Sequence, residues 1–211
     1  MRFYLKYLIA LIGIVAVSCT QDNTTESSLG SGQSVAINFV LSTEDAQSNP
    51  TRAISDGTSV NQLYYAVYTE SGEIVIPKAI KRNATGLASP SGLSMTISLP
   101  SGRNYKAVFW AQNSDTEAYT LTDEMVVSVN YALACNDEKR DAFYGVTELF
   151  ATSDDKVEVT LHRPFAQLNA GAYPFDWEYI KGFHNFDITK SCVRIRDVAH
   201  TLNLLTGELS D

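Results

Sequence analysis

Leu93-Ser94-Met95-Thr96-Ile97-Ser98-Leu99 alternates apolar and hydroxyl side chains without a break. Successive side chains of an extended chain point to opposite faces, so this stretch predicts a strand with one buried and one wetted face. Pro100-Ser101-Gly102 supplies a turn. Behind it stands Tyr105-Lys106-Ala107-Val108-Phe109-Trp110-Ala111-Gln112, whose continuous apolar centre reads as a central strand with Trp110 in the core.

Working outward, the same signals recur. Leu63-Tyr64-Tyr65-Ala66-Val67-Tyr68 and residues 74–76 flank Glu70-Ser71-Gly72-Glu73, a hairpin turn. Residues 113–124 are polar and read as a loop, 125–129 as a strand and 136–141 as a charged surface turn. Val157, Val159 and Leu161 alternate again. Residues 162–168 are expected to continue into another strand, in which Pro164 requires an edge or a bulge. On the N-terminal side Val35, Ile37, Phe39 and Leu41 alternate with smaller or polar neighbours, a short amphipathic strand. Short strands separated by turn signals, with no sustained helical period and no internal repeat, predict an all-β chain folded as a β-sandwich.

The tail differs. Residues 173–183 are aromatic-rich and read as a short helix or an insertion, and residues 192–196 alternate in strand fashion. Thr206-Gly207-Glu208 should turn into a partner strand, with only Leu209-Ser210-Asp211 behind it. The expectation is a sandwich domain over 53–172, then an insertion and the incomplete start of a second β domain over 173–211.

The first 18 residues read as a targeting segment. Arg2 and Lys6 precede an apolar run over 7–17, and Ala16-Val17-Ser18-Cys19 closes it with small residues. That ending resembles a bacterial lipobox, which implies cleavage before Cys19, acylation of its sulfur and attachment to a membrane. The polar, Gly- and Ser-containing run that follows to residue 34 reads as a flexible tether. Residues 35–52 then form a strand and linker. Asn49-Pro50 breaks the chain, and Arg52 is the only basic residue between Lys6 and Lys78. An arginine in a polar loop is either an ordinary surface residue or a protease target, and a cut there would detach tether and strand together.

Of 16 basic residues, removing Arg2 and Lys6 leaves 14 against 24 acidic ones, a net charge of −10. That balance argues against nucleic-acid binding through clustered Lys and Arg. No catalytic constellation, cofactor motif or metal set is read. His162, His184 and His200 lack ligand spacing. Cys135 and Cys192 either pair in an oxidising compartment or remain thiols. Tyr173, Phe175, Trp177 and Tyr179 either pack or form a sugar-binding platform.

Several of these pieces in order resemble the fimbrillin-type lipoproteins of Bacteroidales, the subunits of type V pili. They are the lipobox at Cys19 with its tether, Thr51-Arg52-Ala53, the stretch 105–112, Asp141-Ala142-Phe143-Tyr144-Gly145, and the stretch 159–168. The resemblance implies transthyretin-like β-sandwich domains and an outer-membrane lipoprotein at the cell surface. It also implies an arginine-specific protease cutting between Arg52 and Ala53, with removal of the strand bearing Val35, Ile37, Phe39 and Leu41. A donor strand from another pilus subunit would then fill the vacated groove. Under that resemblance the chain is a structural subunit and not an enzyme. The alternatives are a pilus anchor or tip component, or a tethered surface lipoprotein that binds glycan or a host ligand.

Overall fold

The computed structural model describes residues 33–44, 57–133, 137–152, 156–165, 174–184 and 195–211. All lie within one unit, Ser31–Asp211. The fold is an all-β sandwich, and its strands answer the alternation read above. A three-stranded sheet has the order β4-β1-β9, formed by Leu93–Pro100, Ser34–Thr43 and Lys156–Leu161. Facing it is a four-stranded sheet of order β3-β2-β5-β8: Ile74–Arg82, Gln62–Thr69, Asn104–Gln112 and Ala142–Phe150. A second four-stranded sheet, β11-β10-β7-β6, comprises Leu209–Ser210, Thr201–Asn203, Val126–Val129 and Tyr119–Leu121.

Two apolar clusters follow from this layering. Between the first two sheets lie Ile37, Phe39 and Leu41 of β1, Leu63 and Val67 of β2, Ala107, Phe109 and Ala111 of β5, and Phe143 of β8. The opposite face of the β3-β2-β5-β8 sheet is covered too. There Ala66, Tyr68, Val108 and Trp110 pack with Met125, Val127, Leu202 and Leu204. Strand β5 is thus buried on both faces, which is why its sequence is an apolar run rather than an alternation. Trp110 is fully buried, and its indole N–H donates to Gln112 Oε1 at 2.7 Å.

Pro77 sits inside β3 without penalty because β3 is an edge strand, where a missing N–H breaks no ladder. Gly145 in β8 answers a close approach. A Cβ there would stand 2.7 Å from Leu161 Cδ2 and 3.3 Å from the Thr160 carbonyl. The two sheets meet at this point, where Tyr144 and His162 exchange backbone hydrogen bonds of 2.9 Å each way.

Three expectations change. The strand foreseen over 162–168 ends at Leu161, and Pro164 and Phe165 lie in a bend; residues 166–168 are outside the described residues. Proline cannot extend the ladder, and the Phe165 ring turns instead onto Tyr119, stacked at 5.7 Å between centroids. The loop foreseen over 113–124 contains the three-residue strand β6, too short to show a period. Of the alternation at 192–196, Ile195 and Arg196 are described, belong to no strand and are exposed.

In the tail, the aromatic stretch contains helix α1, Pro174–His184, opened by a proline whose fixed φ suits a first helical turn. The turn at Gly207 (φ +76°) leads into the predicted partner strand, β11. Strand β10 pairs with β7. Among the described residues no helix is long and apolar enough to cross a membrane.

Candidate functional site

The site is the seat of β1. This strand is central in its sheet, antiparallel to β4 from Ser34↔Pro100 to Leu41↔Leu93 and parallel to β9 from Asn38↔Lys156 to Thr43↔Leu161. One face carries Ile37, Phe39, Leu41 and Thr43, all fully buried, with Val35 half-buried at the entrance. Phe39 meets Phe109 of the facing sheet edge-on, 5.4 Å between centroids. The other face is wetted, where Thr96 donates to Asn38 Oδ1 at 2.8 Å. Each buried apolar side chain contributes about 1.5–3 kcal/mol, so the seat without its strand would be an apolar slot between two unpaired strand edges.

Gly92 shapes the lip of this slot. Its φ is +69°, and a Cβ would lie 2.7 Å from the Leu41 carbonyl oxygen. Only glycine allows that approach without strain.

At the far end stands a polar network that sequence reading did not find. Glu44 follows β1 directly. Its Oε1 accepts the Arg163 backbone N–H at 2.9 Å, and its Oε2 lies 2.9 Å from His162 Nδ1. Burial acts to raise the Glu44 pKa, but the Arg163 N–H, the His162 hydrogen bond and the electrostatic attraction of these two side chains outweigh it and hold the carboxyl below its ordinary value. The Arg163 guanidinium is placed by the Phe143 ring, 4.6 Å from its centroid, and by Asp141, 3.3 Å from Oδ2. The buried Asp141 also accepts the Gly57 backbone N–H at 3.0 Å. Glu44 and Gly57 flank residues 45–56, so one network grips the chain on both sides of Arg52. The only sequence signal was an acid directly after an amphipathic strand; its partners lie more than one hundred residues away.

The other predicted residues are placed as follows. Cys19, Arg52, Ala53, Tyr173, Cys135 and Cys192 lie outside the described residues, as does the Trp177 side chain. Phe175 and Tyr179 lie on α1 with Phe183, one helical turn apart and 75%, 52% and 72% exposed. Their centroids are 6.5 and 4.5 Å apart, Phe175 and Tyr179 with nearly parallel planes. Rings packed against one another in this way offer edges as much as faces to a sugar. Among the described residues no cluster of His, Cys, Asp and Glu could hold a metal ion. Away from the β1 seat, a surface hollow of about 300 Å³ is lined by Glu70, Asn104, Lys106, Glu148 and Phe150.

A family profile spans residues 29–211, which takes in β1, Arg52 and every described element. The chain belongs to a family of unknown function, DUF6562. No curated protein matches it. Among solved structures, this DUF6562 chain is similar to a DUF1812 protein of Bacteroides thetaiotaomicron, provisionally assigned as polysaccharide binding. There the TM-score is 0.43 and the identity 14%, over 60% of this chain and 46% of that one. It is also similar to the fimbrial anchor protein Mfa2 of Porphyromonas gingivalis, with TM-score 0.40 and 14% identity over 62% and 50%. The DUF6562 chain thus spans about half the length of each of these two structures.

Proposed function

We propose that the chain is a structural subunit of a surface pilus, exported as a lipoprotein through Cys19, cut after Arg52 and assembled by strand replacement. The observation that carries this reading is the placement of β1. The first strand of the described fold lies between β4 and β9 with three apolar side chains and Thr43 fully buried, yet joins the rest only through the segment containing Arg52. A cut there leaves β1 held by non-covalent contacts alone. Its departure would expose an apolar slot with free backbone donors and acceptors on both sides, the arrangement that captures a strand from another molecule. In this reading the partners are other pilus subunits, an arginine-specific protease and the outer membrane reached through the lipid. The chain performs no catalysis.

The deciding measurement is the N-terminus of the protein recovered from the cell surface, beside an Arg52→Ala variant. The expected result is a mature chain beginning at Ala53, with the variant uncut and absent from sheared high-molecular-weight material. Surface protein that still begins at an acylated Cys19 throughout would overturn activation by this cut. A second reading, a tethered ligand-binding lipoprotein or pilus anchor, draws on the exposed aromatic rings of α1. It would gain from that second outcome together with loss of glycan binding in Tyr179→Ala.

A further inference from the structure

The seat of β1 ends in a polar pocket. The main chain that presents these groups to Glu44 has anchors of its own. The His162 backbone is fixed by two hydrogen bonds to Tyr144 of β8, each 2.9 Å. Arg163 is fixed by Asp141 and by the face of Phe143, and Asp141 is tied in turn to Gly57. Every one of these residues follows the Arg52 cut. If β1 leaves, the Tyr144–His162 bridge and the Asp141 and Phe143 contacts of Arg163 still hold this end of the seat, with the Arg163 N–H and the His162 side chain bordering the place a carboxylate occupied.

We infer that His162 and the Arg163 backbone N–H form a carboxylate-binding site at the end of the strand seat, and that a strand replacing β1 places an aspartate or glutamate side chain there. The inference rests on the strand-replacement reading above and specifies its partner. The incoming segment carries apolar side chains at three alternating positions, as Ile37, Phe39 and Leu41 do. A small hydroxyl residue follows at the Thr43 position, whose Oγ1 meets the Leu87 carbonyl at 3.5 Å. An acid comes next.

The carboxylate also sets direction and register. β1 is antiparallel to β4 and parallel to β9, so the slot between them could in backbone terms accept a strand running either way. Only a strand running as β1 does brings its C-terminal end to His162. A slip of one residue would turn the apolar side chains to solvent and move the acid off the pocket. A slip of two would refill the apolar slots imperfectly and leave the His162 pocket without its anion. Alternating apolar residues cannot exclude that second error, whereas the charged end can.

The test uses the full-length chain with residues 46–51 replaced by the recognition sequence of a site-specific protease, so that cutting does not depend on Arg52. After the cut, labelled peptides with the sequence of residues 34–44, either unchanged or with Glu44→Gln, compete for the seat at neutral pH. Incorporation is read by native mass spectrometry and fluorescence anisotropy. A charge-assisted hydrogen bond at a half-exposed site predicts that the glutamate peptide is favoured about five- to tenfold, and His162→Ala in the protein should narrow that preference. Equal incorporation of the two peptides would overturn the carboxylate site while leaving strand replacement intact. Incorporation of neither would overturn strand replacement, and the selector with it.

Discussion

Strands β1 and β5 are both central in their sheets, yet they are held in different ways. β5 pairs with β2 and β8 along its whole length and is buried on both faces, by Phe39, Leu63 and Phe143 on one side and by Met125, Leu202 and Leu204 on the other. β1 is buried on one face only, and its other face carries Asn38 against Thr96 in solvent. A strand covered on both sides cannot leave without dismantling two clusters. One covered on a single side, and joined to the fold at one end, can depart and leave the opposite sheet intact. In the strand-replacement reading, the contrast separates the part of the fold that stays from the part that is exchanged.

The strongest way to break this contrast is to damage β5. Trp110→Ala removes a fully buried indole that packs against Tyr119 and Phe165. It should cost about 3–5 kcal/mol of global stability in urea unfolding, because it leaves a large cavity in the second cluster. A loss under 1 kcal/mol would show that the second cluster is dispensable. An intermediate effect is expected at the lip of the slot. Gly92→Ala forces a side chain onto the Leu41 carbonyl at an unfavourable φ, which should cost about 1–3 kcal/mol. Hydrogen exchange should place the loss chiefly in β1 and β4, with β5 amides still protected. Equal loss of protection in β5 would mean that β1 and β5 unfold as one unit.

The smallest effect concerns acidity. The Glu44 pKa is depressed in the folded chain, so its pairing stabilises β1 fully above the ordinary glutamate pKa. That contribution disappears as pH falls through the depressed folded value. Exchange of β1 amides should therefore quicken, relative to those of β5, on acidification through that range. Glu44→Gln should flatten the difference, and an unchanged profile in that variant would assign the acid sensitivity elsewhere.

Much of this arrangement was legible in the chain. The alternation at 35–41 and 93–99 announced strands with one buried face, and the apolar run at 107–111 announced a central strand. β8 was harder to see, because Gly145 interrupts its apolar residues, and that glycine answers the close approach of Leu161 and Thr160 rather than any local preference. The run at 162–168 misled for the reverse reason. Its Phe165 packs against the second cluster, but Pro164 bends it onto Trp110 and Tyr119 instead of extending the ladder.

By itself the sequence determined that 35–41, 93–99 and 157–161 are extended with one face turned inward, and that a lone arginine divides the first strand from the rest. Those features are local: they depend on side-chain alternation, turn residues and charge within a few positions. Only the tertiary structure decided that β1 is central rather than at an edge, and that Glu44, Asp141, His162 and Arg163 meet at its end. Strand order and a network spanning one hundred residues arise from which faces find each other in three dimensions, and no local period encodes that choice.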